Sequence, residues 1–297
     1  MLTALRDGAR IDAAAAERGG RFACPSCRGE TILKRGAIRI AHFAHRPPVV
    51  CDWARGETSA HLQAKAGLRD AFAARGLRVE VEWEVPALSG DRRADVMLWS
   101  PAGRRVAIEL QHTGIGLPEI EARTRAYAEA GIAVLWVPFL RPQALGEAVE
   151  RSAGEEGDRF VEKYPARPWE LWVYGLGGGE VWLYDATSQA LWRGRFARHR
   201  MYAAPAAWYR RSGDEVRAGG RWRLSKRWRE LTLWGPNDPA SLRIRVLRRQ
   251  RESIGAFEYP ACEVALFTPA PAPAEATAPA GTSRGSAPAG RNMKTER

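Results

Sequence analysis

A mixed α/β protein is what the sequence predicts, with a core in the order α-β-β-β-α-β, a small N-terminal module before it and a β-rich region after it. Three observations lead there. Apolar spacing switches repeatedly between the helical and the extended period across residues 56–140, three of the four cysteines lie within the first 51 residues, and residues 160–266 carry eight of the twelve tryptophans. Composition shifts divide the chain at the same places, giving expected units over 1–55, 56–150 and 160–266 and a tail over 268–297. The tail is Ala-, Pro-, Gly- and Ser-rich, with too few large apolar side chains to offset its ordering entropy, and is expected to be disordered.

The core elements follow in order. Glu57 to Arg75 reads as a helix stopped by Gly76, a residue suited to the left-handed position after a helix. Leu77, Val79, Val81, Trp83 and Val85 alternate with Arg78, Glu80, Glu82 and Glu84, the pattern of a half-buried strand. A turn at Ser89-Gly90-Asp91 leads to a strand over Ala94 to Trp99, and a tight turn at Pro101-Ala102-Gly103 leads to another over Arg105 to Gln111. Pro118 opens a second helix where its missing N–H costs nothing, Gly131 closes it, and Ile132 to Val137 reads as a fully buried strand reached by a right-handed parallel crossover. In the last region, Trp169 to Tyr174 and Val181 to Tyr184 flank a glycine run like the two strands of a hairpin.

The strand pair carries the sharpest chemical signal. Counting outward from the turn near Ala102 sets Asp95 opposite Glu109, which places two carboxylates on one face about 5 Å apart, where like charges repel. A cation between them would relieve this, and Mg²⁺ is the usual one because it binds through carboxylates and keeps positions for water and phosphate. On the first helix His61, Lys65, Leu68 and Phe72 share a face, with Glu57 one turn earlier. Leu68 and Phe72 must point inward, so His61 and Lys65 are drawn toward the core, where ionisable groups are costly unless paired. The alternative is a capping Glu57 and interfacial His61 and Lys65 whose polar ends reach solvent.

Cys24-Pro25-Ser26-Cys27 forms a metal knuckle, and His42, His45 and Cys51 follow a short hairpin. Five candidates compete for four tetrahedral positions; Cys24, Cys27, His45 and Cys51 are the favoured Zn²⁺ ligands and His42 the alternative. Cys262 reads as an ordinary buried thiol. A net charge of +12 points to a polyanionic partner, with nucleic acid the best fit. Thiols spaced for metal rather than disulfides, no 18-residue apolar run and no leader-like N-terminus lead to an expected cytoplasmic location without membrane insertion. In the last region Arg210, Arg211, Arg221, Arg223, Lys226, Arg227 and Arg229 interleave with Trp208, Tyr209, Trp222 and Trp228, as in single-strand binding surfaces; a β-rich domain with an aromatic core and a solvated basic face is the alternative.

Asp95 on one strand and Glu109-x-Gln111 on the next, within the α-β-β-β-α-β order, resemble the PD-(D/E)xK nuclease core. The longer pattern of Cys24-x-x-Cys27, His42-Phe43-Ala44-His45, Cys51, Glu57, His61, Lys65, Ala94-Asp95-Val96, Glu109-x-Gln111, Arg123, Tyr127 and Trp136 resembles the competence protein CoiA-like family over residues 20–140. That resemblance implies a nuclease-like protein acting on DNA in recombination during transformation, with Asp95 and Glu109 as Mg²⁺ ligands. Glu57, His61, Lys65 and Gln111 complete the expected catalytic set, and Arg123 and Tyr127 would contact the DNA backbone or form an amphipathic surface stripe. Gln111 replaces the superfamily lysine, so Lys65 is expected to supply the missing charge. The rivals are a non-cleaving accessory factor that helps a recombinase, and a defence nuclease.

Overall fold

The computed structural model describes residues 1–48, 50, 51, 53, 57–88 and 92–269. The expected turn at 89–91 and the tail from residue 270 onward lie outside the described residues. The N-terminal module is a five-stranded sheet in the order β2-β1-β3-β4-β5, built from β1 (Thr3–Arg6), β2 (Ala9–Asp12), β3 (Phe22–Ala23), β4 (Glu30–Lys34) and β5 (His42–His45). Its small core gathers Ala4, Ala13, Phe22, Cys24 and Phe43.

The central unit follows as α1 (Ser59–Ala73), β6 (Arg78–Val85), β7 (Arg92–Trp99), β8 (Arg105–Gln111), α2 (Leu117–Glu129) and β9 (Ala133–Pro138). Thr58, not Glu57, caps α1, its hydroxyl accepting from the His61 N–H at 3.2 Å. Gly76 at φ +76° ends the helix and lets Leu77 N–H reach back to Phe72. β6, β7 and β8 are antiparallel and β9 is parallel to β8, in the α-β-β-β-α-β order. The β7–β8 register has the expected sum, Val96 facing Ile108 and Met97 facing Ala107, and the ladder ends one pair short of Asp95 and Glu109.

Helices cover both faces of this sheet, which is why β7, β8 and β9 are almost continuously apolar. On one face Leu62, Leu68 and Phe72 of α1 meet Val96, Leu98, Ile108 and Leu110. On the other, Ile120 and Tyr127 of α2 meet Met97, Ala107, Val134 and Trp136.

The rest of the chain is α3 (Pro142–Gly146), β10 (Val149–Glu150), β11 (Arg159–Tyr164), α4 (Pro168–Leu176), β12 (Val181–Asp185), β13 (Ala190–Ala203), β14 (Ala206–Tyr209), β15 (Glu215–Ala218), β16 (Arg221–Asn237), β17 (Leu242–Arg249), β18 (Glu252–Ile254), β19 (Phe257–Tyr259) and β20 (Cys262–Pro269). A second sheet runs β10-β11-β16-β13-β12, whereas β17 and β20 return to the central sheet, β20 pairing parallel to β9. Residues 160–266 are therefore divided between two sheets. The expected hairpin at Trp169 is corrected to helix α4: Trp169, Trp172, Val173 and Leu176 are buried at helical spacing, and Glu170 accepts from the Arg167 N–H at 2.6 Å. Trp169, Trp172, Trp182 and Trp192 are core residues, while Trp208 and Trp222 are exposed. Cys262 is a buried free thiol pushed up by burial to about 11.

Candidate functional site

A cleft of about 1190 Å³ between the N-terminal module and the central sheet is lined by one whole cluster of candidate ligands and by Cys27 and Cys51 of a second. The first is built by α1 and β7. Asp95 sits where β7 and β8 leave the ladder, so its Oδ2 accepts the Leu110 N–H at 2.9 Å in place of a strand carbonyl. His61, in the first turn of α1, puts Nε2 3.1 Å from that same oxygen and Nδ1 3.6 Å from Glu57 Oε1. Ligand atoms of Glu57, His61 and Asp95 all lie within 4.8 Å of one another, and all three residues line the cleft. Burial opposes ionisation of Asp95, but the positive field of His61, then Lys65 and Arg123, outweighs it and holds the carboxyl well below its ordinary range. Burial also opposes protonation of His61, and Asp95 overcomes it, raising the imidazole.

The carboxylate pair is arranged differently from the facing pair read in the sequence. Glu109 turns to α2, where Arg123 and the Tyr127 hydroxyl both donate to it. Burial lifts its carboxyl to about 7, with Arg123 opposing and the Asp95 charge adding to the rise. The cation answering Glu109 is thus a guanidinium. Tyr127 is fully buried and has no surface to offer DNA; burial and Glu109 raise its phenol well above the usual value. Arg123 stacks over Trp136 at 5.2 Å and still lines the cleft.

Lys65 is fully buried, and its ammonium is spent on Glu57, at 2.8 Å to both oxygens, and on Glu82 at 2.6 Å. Burial opposes its charge, but Glu82 and Glu57 prevail and raise its pKa. It reaches the cleft only through Glu57. Gln111 lines the cleft with its amide donated to the Thr113 carbonyl at 2.8 Å. Neither residue leaves a free ammonium beside Asp95.

Glu82 is the residue that sequence reasoning missed. Fully buried, it adopts φ +55° inside β6, an uncommon conformation for a residue with a Cβ. Its carboxylate accepts from Leu2 N–H at 2.9 Å and from Thr3 N–H and hydroxyl at 3.0 Å, besides Lys65. Burial opposes this charge too, yet Lys65 keeps the carboxyl far below its ordinary value. Glu80, Glu82 and Glu84 are equivalent in the alternating pattern, so nothing local marks the middle one. Arg93 and His112 were missed as well. Arg93 donates to Glu57 at 3.3 Å and stacks over Trp53 at 4.4 Å. His112 is 2.9 Å from the Thr58 hydroxyl, and burial, then the His61 charge, lowers its pKa.

The second cluster is Cys24, Cys27, His45 and Cys51. A turn after β3, with Cys24 N–H bonded to Gly29 O at 2.8 Å and Arg28 N–H to Cys24 O at 3.0 Å, brings the two cysteines of the knuckle together. Antiparallel pairing of β4 with β5 delivers His45. His42, three residues earlier on β5, lies at 2.9 Å from the Ile40 carbonyl and outside the group. Cys27 Sγ and His45 Nε2 are 3.4 Å apart. Two ligands on one tetrahedral zinc, with bonds near 2.3 and 2.0 Å, would be about 3.5 Å apart. Burial pushes the Cys24 thiol to about 12, and the buried His45 Nδ1 lacks a hydrogen-bond partner. Three thiols and an imidazole with this spacing fit a tetrahedral metal.

Among the described residues, no helix is long and apolar enough to cross a membrane. No curated protein and no solved structure matches the chain. Two family models do: "Competence protein CoiA, N-terminal domain" over residues 7–54 and "Competence protein CoiA, nuclease-like domain" over residues 57–206. The second spans the Glu57–His61–Asp95 cluster, Glu109 and Arg123, and the first spans all four members of the cysteine and histidine cluster. On these two matches, which together take in the cleft and both clusters, the chain belongs to the competence protein CoiA family and carries its nuclease-like domain.

Proposed function

We propose that this protein processes DNA during competence as a metal-dependent nuclease, on a PD-(D/E)xK-type core joined to a zinc-ribbon-like module. The observation that carries this reading is the convergence of Glu57, His61 and Asp95 at the wall of a cleft also lined by Arg28, Arg93 and Arg123. Carboxylates can hold a divalent cation, and guanidinium groups suit phosphate. A cation there would lower the pKa of a bound water and stabilise the negative charge developing on the oxygens of the attacked phosphate. Asp95, already ionised by its surroundings, is the first ligand, with Glu57 and His61 beside it. Imidazole in the set shifts the expected metal from Mg²⁺ toward Mn²⁺, because Mg²⁺ favours oxygen ligands. Glu109 would join it only by leaving Arg123 and Tyr127. Lys65 is a positioning residue that fixes Glu57, and Gln111 orders the loop at Thr113. The Cys24, Cys27, His45 and Cys51 set would hold Zn²⁺ as a closed structural site. Free thiols spaced in this way suit the cytoplasm.

A second reading, a non-cleaving DNA-binding factor that serves a recombinase, is favoured by one feature: both replacements for the superfamily lysine are occupied elsewhere. One experiment separates the two. The full chain is incubated with single-stranded, duplex and branched DNA, with and without Mg²⁺ or Mn²⁺, beside Asp95→Asn and Glu57→Gln. Metal-dependent cutting that drops by at least about 100-fold in Asp95→Asn supports the nuclease, since even residues behind metal ligands cost 10- to 100-fold when changed. DNA retained without any cut supports the second reading. Equal cutting by wild type and both variants defeats the assigned site.

A further inference from the structure

Beyond the second sheet, β13 and β16 continue as a two-stranded ribbon, with Met201 facing Arg223 and Tyr202 facing Trp222, and the hairpin β14–β15 forms its tip. Most side chains from residue 198 to 229 are exposed, and this segment holds ten Arg and Lys against two acids, a net +8 of the chain's +12. Charge is therefore concentrated in about a ninth of the protein. Arg198 lies directly across from Arg229, an arrangement that destabilises a strand pair. Among the described residues Arg198, Arg200, Arg221 and Arg223 have no carboxylate partner; Arg217 with Glu215 is the arm's internal ion pair.

Large rings lie among these charges. Tyr202 is 50%, Trp208 48%, Tyr209 73% and Trp222 60% exposed, far more than packing of a core requires. Tyr202 and Trp222 form an edge-on pair at 5.7 Å, with the Arg200 guanidinium 5.8 Å from the Trp222 ring. Since paired residues share a face, Arg200, Tyr202, Trp222 and Leu224 line one side of the ribbon, and Met201, Ala203, Arg221 and Arg223 the other. One side thus presents rings beside a cation, and the other presents cations.

We infer that this ribbon is a binding site for single-stranded nucleic acid, with Tyr202 and Trp222 stacking on bases and Arg198, Arg221 and Arg223 engaging phosphates. Open rings favour a single strand over a duplex, whose bases have their faces already covered. The inference draws on the nucleic-acid reading of the cleft for the polymer's identity, but it concerns a separate surface.

The test uses full-length protein without added divalent cation, so that cleavage is off. Labelled oligo(dT) and oligo(U) of about 20 nucleotides, a matching duplex, and phosphatidylserine-containing vesicles are titrated; the length exceeds the roughly 4–16 nucleotides of one aromatic groove. In Y202A/W222A, affinity for the single strands is expected to fall about tenfold or more while the duplex is little changed. In R198Q/R221Q/R223Q, the slope of log K against log salt is expected to shrink by about 2, at about 0.7 per phosphate contact on a single strand. Unchanged single-strand binding in both variants overturns the inference. So does a loss confined to duplex or to vesicles, which would reassign the arm. Cutting with added Mg²⁺ or Mn²⁺ is measured in the separate assay of Asp95→Asn and Glu57→Gln, so failure of the cleavage reading and of the arm are read separately.

Discussion

The cleft and the arm handle charge in opposite ways. Around α1, the ionisable groups on the cleft's inner wall are drawn at least partly out of water and given partners: Lys65 lies between Glu57 and Glu82, His61 between Glu57 and Asp95, and Arg123 against Glu109. Along the arm, arginines face one another across a strand pair and look outward. Burial makes the first set rigid, because each group is held by ion pairs and hydrogen bonds to its neighbours. Exposure leaves the second adaptable and sensitive to salt. Position is what a reacting centre needs, whereas an attractive field that tolerates many sequences is what a strand-holding surface needs.

The largest test of this contrast concerns the cleft's N-terminal wall. Structural zinc supplies roughly 10–16 kcal/mol in small zinc modules at neutral pH. Elemental analysis of protein purified without chelator is expected to give one zinc per chain, and Cys24→Ala to lose it together with protease resistance in the first 50 or so residues. Full zinc content in Cys24→Ala would break the ligand assignment.

Next in size is Lys65→Met, which strands the buried Glu82 carboxylate and removes a partner from the half-buried Glu57. A loss of about 3–5 kcal/mol is expected in urea unfolding. Arg223→Gln on the arm should stay within about 0.5 kcal/mol of wild type. Comparable losses at both positions would erase the distinction between the regions.

The smallest effect is one of pH. Glu82 is held below its ordinary 4.5, so its stabilisation is complete above that value and is lost as pH falls toward its folded-state value; Lys65 is raised above 10.5, so its share is complete below that value and fades at higher pH. The Glu82–Lys65 share, read in the melting temperature, should therefore be constant from about pH 5 to 10 and be lost on the acid side, beneath the separate slopes that Glu109 and His61 add near neutrality. In Lys65→Met the part of the acid fall due to Glu82 should be weaker. Comparing the two proteins cancels the protonation of the Cys24, Cys27, His45 and Cys51 cluster, which both share, and identical acid slopes would refute the coupling.

The central order was legible because α1, β6, β7, β8, α2 and β9 each announce themselves locally, through apolar period and a Gly or Pro at the ends. Even the β7–β8 register could be counted from its turn, since a hairpin fixes its own pairing. What could not be read was non-local. β20 joins β9 across more than a hundred residues with no shared pattern to betray it. Helix α4 was legible but overlooked: its tryptophans suit strands by type, while their spacing and Pro168 at the first turn indicate a helix. In the site, His61 and Asp95 do converge, but the direction of Glu109 and the burial of Lys65 depend on which helix each side chain meets. Glu82 owes its role to a backbone angle and a distant strand, neither of which a pattern of residue types records.

That glutamate sets the smallest piece of this protein that could be moved into another. An excised α-β-β-β-α-β core would look complete, with both helices, all four strands and every candidate ligand of the Glu57 cluster. Without the first few residues, however, Glu82 would lose the two N–H groups and the hydroxyl that share its charge with Lys65. Lys65 would then draw unevenly on Glu57, and the error would appear at the cleft. A working graft must carry the N-terminal hairpin as well as the core.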